Sequence, residues 1–326
     1  MAFQGCEGFT ELTLPNALSV IPNQAFYGCK SLSGNLVIPA SVKEIGRLAF
    51  NLCTALNGDL ENPSQITLPE SLKKINDYVF SDCNKIKTIK FQSLPEGISK
   101  SIGAQKTVSL SDDSYISDKA SGTVNAISYT RVMTSNWGTL VLPYPLKLTG
   151  NKPYRLYSID NMTGEELVLK QLEGVVAAGT PCVVKRIGTE AELTFDANDA
   201  KLDMTRTTNP VGDMTFSGTY WTETVNSGYV ISKGRFWNVA ELNGLDPVNG
   251  VKVHPFRAWL DGTSVNAPAR LSMRIDGSST GIDAIDALND AEAEYYDLSG
   301  KRLDAPQKGV NIVRMKSGKT KKIIIK

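Results

Sequence analysis

The residues best suited to chemistry are few. Among 326 residues there is one histidine, His254, in Val-Lys-Val-His-Pro-Phe at 251–256. A single imidazole rules out the H-E-x-x-H arrangement and any two-histidine metal centre within this chain. Cys182 could pair with His254 as nucleophile and base. Yet Cys182 stands in Ala-Gly-Thr-Pro-Cys-Val-Val-Lys, with no glycine-rich nucleophile turn, where a cysteine serves as a small core hydrophobe. A glycosidase needs two carboxylates, and Glu165, Glu166, Glu190, Glu192 and Glu223 supply acids. With 34 acidic residues in the chain, such a set has no specificity. Neither G-x-x-x-x-G-K-[ST] nor G-x-G-x-x-G occurs, so no phosphate-cradling loop is recognisable. The expectation is no catalytic residue, no metal and no cofactor.

The other four cysteines, Cys6, Cys29, Cys53 and Cys83, are spaced by 23, 24 and 30 residues. Zinc ligand pairs lie two to four apart. Strands about 5 Å apart bring such cysteines within bridging range, but their parallel Cβ vectors do not face each other. An unbridged column of small buried side chains is expected. Aromatic residues give a different possibility. Tyr220-Trp221, Tyr229, Phe236-Trp237 and Trp259 cluster along the chain, and Trp221, Trp237 and Trp259 are candidates for stacking on a glycan. Adjacent rings, if they sit in a strand, point to opposite faces, so one ring of each pair is a candidate for exposure.

Those cysteines belong to a repeat. Aligned on them, Leu-Pro-Asn-Ala-Leu-Ser-Val-Ile-Pro-Asn-Gln-Ala-Phe-Tyr-Gly-Cys (14–29), Ile-Pro-Ala-Ser-Val-Lys-Glu-Ile-Gly-Arg-Leu-Ala-Phe-Asn-Leu-Cys (38–53) and Leu-Pro-Glu-Ser-Leu-Lys-Lys-Ile-Asn-Asp-Tyr-Val-Phe-Ser-Asp-Cys (68–83) share a proline 14 residues before the cysteine and a phenylalanine three before it. A partial fourth copy opens the chain at Phe3 and Cys6. Alternating apolar residues before each proline predict a short strand. The segment between proline and cysteine suits a short helix or helical turn. Each unit is too small to bury its own apolar face, so the copies must stack as a solenoid. Ten residues separate Cys29 from Pro39 and sixteen separate Cys53 from Pro69. The extra residues fall at 61–66, the place for a surface loop.

This run resembles the BspA-like leucine-rich repeats, whose core reads [LI]-P-x-x-[VL]-x-x-I-G-x-x-A-F-x-x-C. Ile45-Gly46, Ala49-Phe50 and Cys53 match it; Pro22 and Asn76 replace the glycine in the neighbouring copies. The resemblance implies a solenoid with a parallel sheet, and a secreted or surface-bound protein that binds other proteins, host matrix or cells without catalysis.

Beyond the repeats, turn signals such as Asn226-Ser227-Gly228 and Asp261-Gly262 separate short β runs at 126–133, 138–142, 154–159, 166–172, 181–184, 191–195, 215–220, 229–232, 235–239, 256–260 and 269–275. This pattern predicts an antiparallel β-sandwich. Its Trp-Gly-Thr-Leu-Val-Leu-Pro-Tyr (137–144), Ala-Gly-Thr-Pro-Cys-Val-Val-Lys (178–185) and Phe-Arg-Ala-Trp-Leu (256–260) phrases are similar to uncharacterised β-domains of secreted proteins of the Bacteroidetes type. Tyr-Asp-Leu-Ser-Gly-Lys-Arg (296–302) and Lys-Gly-Val-Asn-Ile-Val (308–313) resemble a C-terminal sorting domain, with Asn311 where that family has an aromatic residue.

The expected architecture is α+β and multidomain: leucine-rich repeats at 1–98, a β-sandwich at 105–276 and a small C-terminal β-module at 282–326. Thirty-five basic against 34 acidic residues leave a net charge of +1, so no global field selects nucleic acid. The basic tail (Arg314, Lys316, Lys319, Lys321, Lys322, Lys326) flanks Ile323-Ile324-Ile325, where charge guards a sheet edge. No apolar run approaches the roughly 18 residues of a membrane span. The chain enters in mid-repeat, without a signal peptide, so its N-terminus is expected to be cut and its location extracellular or at the cell surface. The expected function is adhesin-like recognition of an extracellular protein; a carbohydrate-binding accessory role is the alternative. Ligand specificity is expected from the variable outward positions: Glu11, Thr13, Asn35, Val37, Gln65 and Thr67, with Glu61 and Asn62 in the inserted loop.

Overall fold

The phenylalanine of each repeat lies midway between two residues in the left-handed region: Gln24 and Gly28 flank Phe26, Leu48 and Leu52 flank Phe50, and Tyr78 and Asp82 flank Phe80, all with φ between 55° and 71°. The structure is a computed structural model and describes residues 3–95, 98, 102, 106–116, 118, 120–245, 250–262, 267–276, 294–297, 300–303, 307–314 and 320–325. Because left-handed residues alternate with right-handed turns, every second N–H points along the stack. Gln24, Phe26 and Gly28 donate to the carbonyls of Arg47, Ala49 and Asn51 in the next coil at 2.9, 2.8 and 2.8 Å. The intervening Ala25, Tyr27 and Cys29 donate locally, to Pro22, Gln24 and Phe26. A helix would send all of these N–H groups to its own carbonyls. The expected helical return is therefore a run of turns, and the protein is mostly β rather than α+β. Among the described residues the one helix is Val239–Leu245.

The strands of this part are β1 (Val20–Ile21), β2 (Glu44–Ile45), β3 (Gln65–Leu68), β4 (Lys74–Ile75), β5 (Thr88–Phe91), β6 (Ser93–Leu94), β7 (Thr107–Ser111), β8 (Tyr115–Ile116) and the longer β9 (Gly122–Val132). β1, β2 and β4 pair in parallel on one side of the coil, in residues expected to be helical. On another side β3, β5, β7 and β9 pair in parallel. In the preceding copies this position is marked only by the bridge between Asn35 and Asn57. Inside, Phe3, Phe26, Phe50 and Phe80 form one column, with successive ring centroids 5.6, 5.1 and 5.6 Å apart. Cys29, Cys53 and Cys83 form a second, buried column of free thiols. Each thiol donates to the carbonyl of the previous coil's phenylalanine: Cys29 to Phe3, Cys53 to Phe26 and Cys83 to Phe50, at 3.0, 3.1 and 3.0 Å. Gly46 permits the close approach of adjacent coils, since a Cβ there would lie 2.4 Å from the Asn23 nitrogen.

The parallel sheet does not stop at residue 98. β7 and β9 carry it across the expected boundary, and the core of the repeats continues without a gap through Leu110, Ile127 and Tyr129 to Tyr144, Phe195 and Phe256. The expected boundary falls in a stretch rich in Ser, Lys and Asp, but Thr-Val-Ser-Leu-Ser at 107–111 alternates and joins the sheet as β7.

The remaining strands are β10 (Trp137–Leu140), β11 (Leu146–Leu148), β12 (Tyr154–Thr163), β13 (Glu166–Gln171), β14 (Gly174–Val176), β15 (Cys182–Arg186), β16 (Glu192–Leu202), β17 (Thr208–Val211), β18 (Met214–Thr219), β19 (Glu223–Val225), β20 (Tyr229–Ser232), β21 (Arg235–Asn238), α1 (the helix Val239–Leu245), β22 (Val251–Val253), β23 (Arg257–Asp261) and β24 (Arg270–Ile275). Every β run read from the sequence after residue 125 coincides with one of the strands from β9 onward. β16 closes the repeat sheet, antiparallel to β9. Ten of the others form one sheet in the order β10-β15-β12-β13-β24-β21-β20-β23-β18-β17, while β11 pairs with β14 and β19 with β22 in two-stranded sheets. Here β24 pairs with β21 through Leu271 and with β13 through Ser272 to Ile275, passing from one half of the sheet to the other as corner strands do. Tyr157, Leu167, Val183, Phe216, Phe236 and Leu260 from both halves share one core. The β13–β24 pair is parallel, so the sheet is not wholly antiparallel.

Towards the C-terminus β25 (Glu294–Tyr296), β26 (Arg302–Leu303), β27 (Gly309–Arg314) and β28 (Thr320–Ile325) form an antiparallel sheet, ordered β26-β25-β27-β28. Asn311 is buried in β27, where it accepts from the Gln307 N–H and donates to the Gln307 carbonyl at 2.9 and 2.6 Å. This local clamp occupies the position of the expected aromatic ring. β28, with its lysines, is an edge strand. Residues 282–293, 298–299, 304–306, 315–319 and 326 of the expected module lie outside the described residues.

Candidate functional site

The outward face of the repeat sheet has a regular chemistry. Along β3, β5, β7 and β9 the inward residues Ile66, Ile89, Val108 and Ile127 are buried. Their outward neighbours fall into two rows set by the register. One row is Thr67, Lys90, Ser109 and Ser128, continued by Asp196 of β16; the other is Gln65, Thr88, Thr107 and Ala126, continued by Asn198. The surface expected from the repeats thus extends over five strands. Its later members were legible as the alternating Ser and Thr of 107–111 and 126–130, but the expected domain boundary divided them.

Of the residues expected to bind ligand, Glu11, Thr13, Val37, Glu61 and Asn62 are exposed. Val37 is 67% exposed, and Leu60 beside the inserted loop 79%. Asn35, Gln65 and Thr67 are instead engaged within the framework. Asn35 Nδ2 donates to the carbonyls of Gly58 and Asp59 in the next coil, both at 3.0 Å. Asp59 accepts from the Thr67 N–H at 2.8 Å and the Thr67 hydroxyl at 2.6 Å, while Gln65 Nε2 reaches it at 3.3 Å. The insertion closes on itself through Gly58 N–H to the Pro63 carbonyl and Gln65 N–H to the Asn62 carbonyl, each 2.9 Å. A Cβ at Gly58 would lie 1.7 Å from the Gln65 carbonyl oxygen, so this turn requires glycine. Gln65 and Ile66 belong to β3, so the inserted loop ends at Ser64 and lies a little earlier in the chain than 61–66.

The aromatic candidates separate. Trp259 is 6% exposed and packs with Val225, Val239 and Val253, which excludes it as a stacking surface. Trp221 and Trp237 are half-buried while Tyr220 and Phe236 are fully buried, the division expected of adjacent rings. Each open ring already carries a guanidinium: Arg206 lies 4.5 Å from the Trp221 centroid and Arg270 5.1 Å from that of Trp237. The catalytic candidates are not brought together. Cys182 is buried, its thiol pKa is pushed up to about 12 by that burial, and it donates to the Thr180 carbonyl. His254 is exposed and lines a different cavity. Glu166 pairs with Arg274 and Glu223 with Arg206.

Sequence reasoning missed a charged junction under β9. Tyr129 donates to Asp112, in the turn after β7, and accepts from Arg257 Nη1 at 2.5 Å; Arg257 Nη2 meets both Asp112 oxygens at 2.8 and 2.9 Å. Burial raises the Tyr129 pKa. Burial alone would lower that of Arg257, but Tyr129 and Asp112 outweigh it and the net shift is upward. Arg131, one turn of the pleat along β9, donates to the Thr139 carbonyl at 2.6 Å. Burial, with Arg257 nearby, lowers its pKa to about 10. At the far end of the thiol column, buried Lys106 donates to the carbonyls of Cys83 and Ile86 at 2.9 and 2.5 Å.

Residues 1–112 match the family model of the BspA type leucine rich repeat region, in six copies. The match runs past residue 98 and takes in β7. No curated protein and no solved structure matches the chain.

Proposed function

We propose, from the premise that residues 1–112 are a BspA-type leucine-rich repeat region, that this chain is a secreted or cell-surface recognition protein, adhesin-like, which binds a protein ligand and makes or breaks no bond. The observation that carries this reading is the outward face of the continuous sheet. Its inward positions are apolar and repeat, as in the coils before it, whereas the equivalent outward positions Thr13, Val37, Thr67 and Lys90 change chemistry from coil to coil, and Leu60 stands exposed in the inserted loop. Such a scaffold offers specificity by changing surface residues at little cost to the core. Val37 and Leu60 are the large exposed apolar groups among them, and apolar anchors within a polar rim are what protein interfaces use. The part from 105 to 276, which carries the ten-stranded sheet, acts as stalk or second module, and the C-terminal strands serve export or attachment. Among the described residues no helix is long and apolar enough to cross a membrane. The carbohydrate-binding alternative is disfavoured by burial of Trp259 and by the guanidinium groups over Trp221 and Trp237.

The test is binding of the full chain to immobilised extracellular-matrix proteins and to a glycan array. Val37→Asp combined with Leu60→Asp is expected to weaken matrix-protein binding tenfold or more, with the unfolding midpoint unchanged. Glycan binding that is lost in Trp221→Ala with Trp237→Ala, and kept in the first variant, would replace this reading with the accessory one.

A further inference from the structure

A cavity of about 670 Å³ lies among the C-terminal end of β9, the β9–β10 connection, the β20–β21 turn and the start of β23. Its charged lining is all of one kind: Arg131, Lys233, Lys252 and Arg257, with His254 beside them and no Asp or Glu among the lining residues. The one carboxylate of the adjoining network, Asp112, is held by Arg257. Arg131 is 8% exposed and has a single hydrogen bond, from Nη1 to Thr139; its Nε is buried without a partner. A guanidinium carries five donors. A buried cation with a donor left unpartnered, beside a second cation, is electrostatically unfavourable unless something supplies negative charge.

We propose that this cavity is an anion site, which takes one oxyanion group of a small ligand or of a ligand's terminus, a carboxylate or a sulfate or phosphate. Arg131 is the buried anchor, since its planar fork matches two oxygens of such a group. The exposed Lys233 and Lys252 stand at the opening and raise the local concentration of anions; His254 lies beside them. Arg257 is saturated by Asp112 and Tyr129 and positions the site rather than binding. The site is formed by β9 together with β20, β22 and β23, where the repeat sheet meets the ten-stranded sheet.

The experiment is isothermal titration of the full chain with sodium sulfate, sodium phosphate and sodium D-glucuronate, each against chloride at equal ionic strength. Saturable one-to-one binding of at least one probe is expected, with Kd of about 1 mM or tighter. Preference for glucuronate identifies an acidic sugar as the source of the group; preference for sulfate or phosphate identifies an ester or the free ion. Lys233→Glu with Lys252→Glu, both exposed, should weaken binding tenfold or more without loss of folding. Arg131→Met should abolish it, with tryptophan emission reporting whether that variant is folded. Absence of saturable binding with all three probes, or binding unchanged in the double lysine variant, overturns the proposal.

Discussion

In the repeats, Phe3, Phe26, Phe50 and Phe80 stack with interplanar angles of 1°, 10° and 6°. In the ten-stranded sheet, Trp137 meets Tyr157 at 44° and Phe216 meets Phe236 at 73°. Both arrangements are favourable for aromatic pairs, and the difference comes from how each core is specified. Where a sequence repeats, neighbouring coils are related by translation, so one residue type at one position packs against its own copy. Where it does not repeat, every contact is shaped separately. The same contrast holds for polar groups. The repeats satisfy theirs by a ladder, Cys Sγ to the previous phenylalanine carbonyl, whereas the junction under β9 relies on a single set of charges from distant parts of the chain.

The comparison predicts that a rung inside the stack is worth far more than one at its end. Phe50→Ala should cost about 3–5 kcal/mol, the range for a fully buried ring. Phe3, 46% exposed, should cost less than about half of that. Denaturant midpoints measure both, and equal losses would mean that the column does not act by stacking. The insertion gives the next largest effect. Deletion of 61–66 removes Ile66, 0% exposed, from β3 and should cost roughly 2–5 kcal/mol. Deletion of 61–64 spares the strand and should cost about 1 kcal/mol, since loop length alone changes closure entropy little.

Alkaline pH should expose the thiol column. Burial pushes the Cys83 and Cys182 thiols up to about 12, and raises Cys29 and Cys53. In the folded chain these groups stay protonated while unfolded thiols ionise near the ordinary value of about 8.5. Their contribution is thus intact below about pH 8.5 and is lost as pH rises toward 12, by about 1.4 kcal/mol per pH unit for each thiol. Lys106, whose pKa burial lowers, acts in the opposite direction and offsets part of it. Denaturation midpoints between pH 8.5 and 10 should fall steeply, and less so in Cys53→Ala. The smallest effect is a gain. Asp82 is exposed with φ 59°, and Asp82→Gly should stabilise by about 0.5–1 kcal/mol by removing left-handed strain. A loss would show that the side chain compensates for its backbone.

Much of this was legible because alternation and spacing are local. The Phe and Cys columns follow from one alignment, and Val-Ser-Leu or Ile-Ser-Tyr declares its own inward face. The expected helical return failed for a physical reason: propensity does not reveal that Gln24, Leu48 and Tyr78 adopt left-handed backbone and turn alternate N–H groups toward the next coil. Asn35 read as a variable surface residue, yet it caps the carbonyls of Gly58 and Asp59, partners visible only once the coils are stacked. The β9 junction was invisible for the same reason. Asp112, Tyr129, Arg131 and Arg257 carry no mutual spacing signal, because Arg257 lies 128 residues from Tyr129 and 145 from Asp112.

All four tryptophans, Trp137, Trp221, Trp237 and Trp259, lie beyond β9, so their fluorescence reports the second part of the chain alone, while far-ultraviolet circular dichroism reports all strands. The central claim is that one sheet, β3-β5-β7-β9-β16, and one core join the two parts into a continuous outward face. Urea unfolding of Phe50→Ala, followed by both signals, tests it most directly. The account predicts a single transition in which the tryptophan midpoint falls together with the circular dichroism midpoint, although the substitution is in the repeats. A tryptophan midpoint unchanged from the parent chain, with a separate earlier transition seen only by circular dichroism, would contradict it.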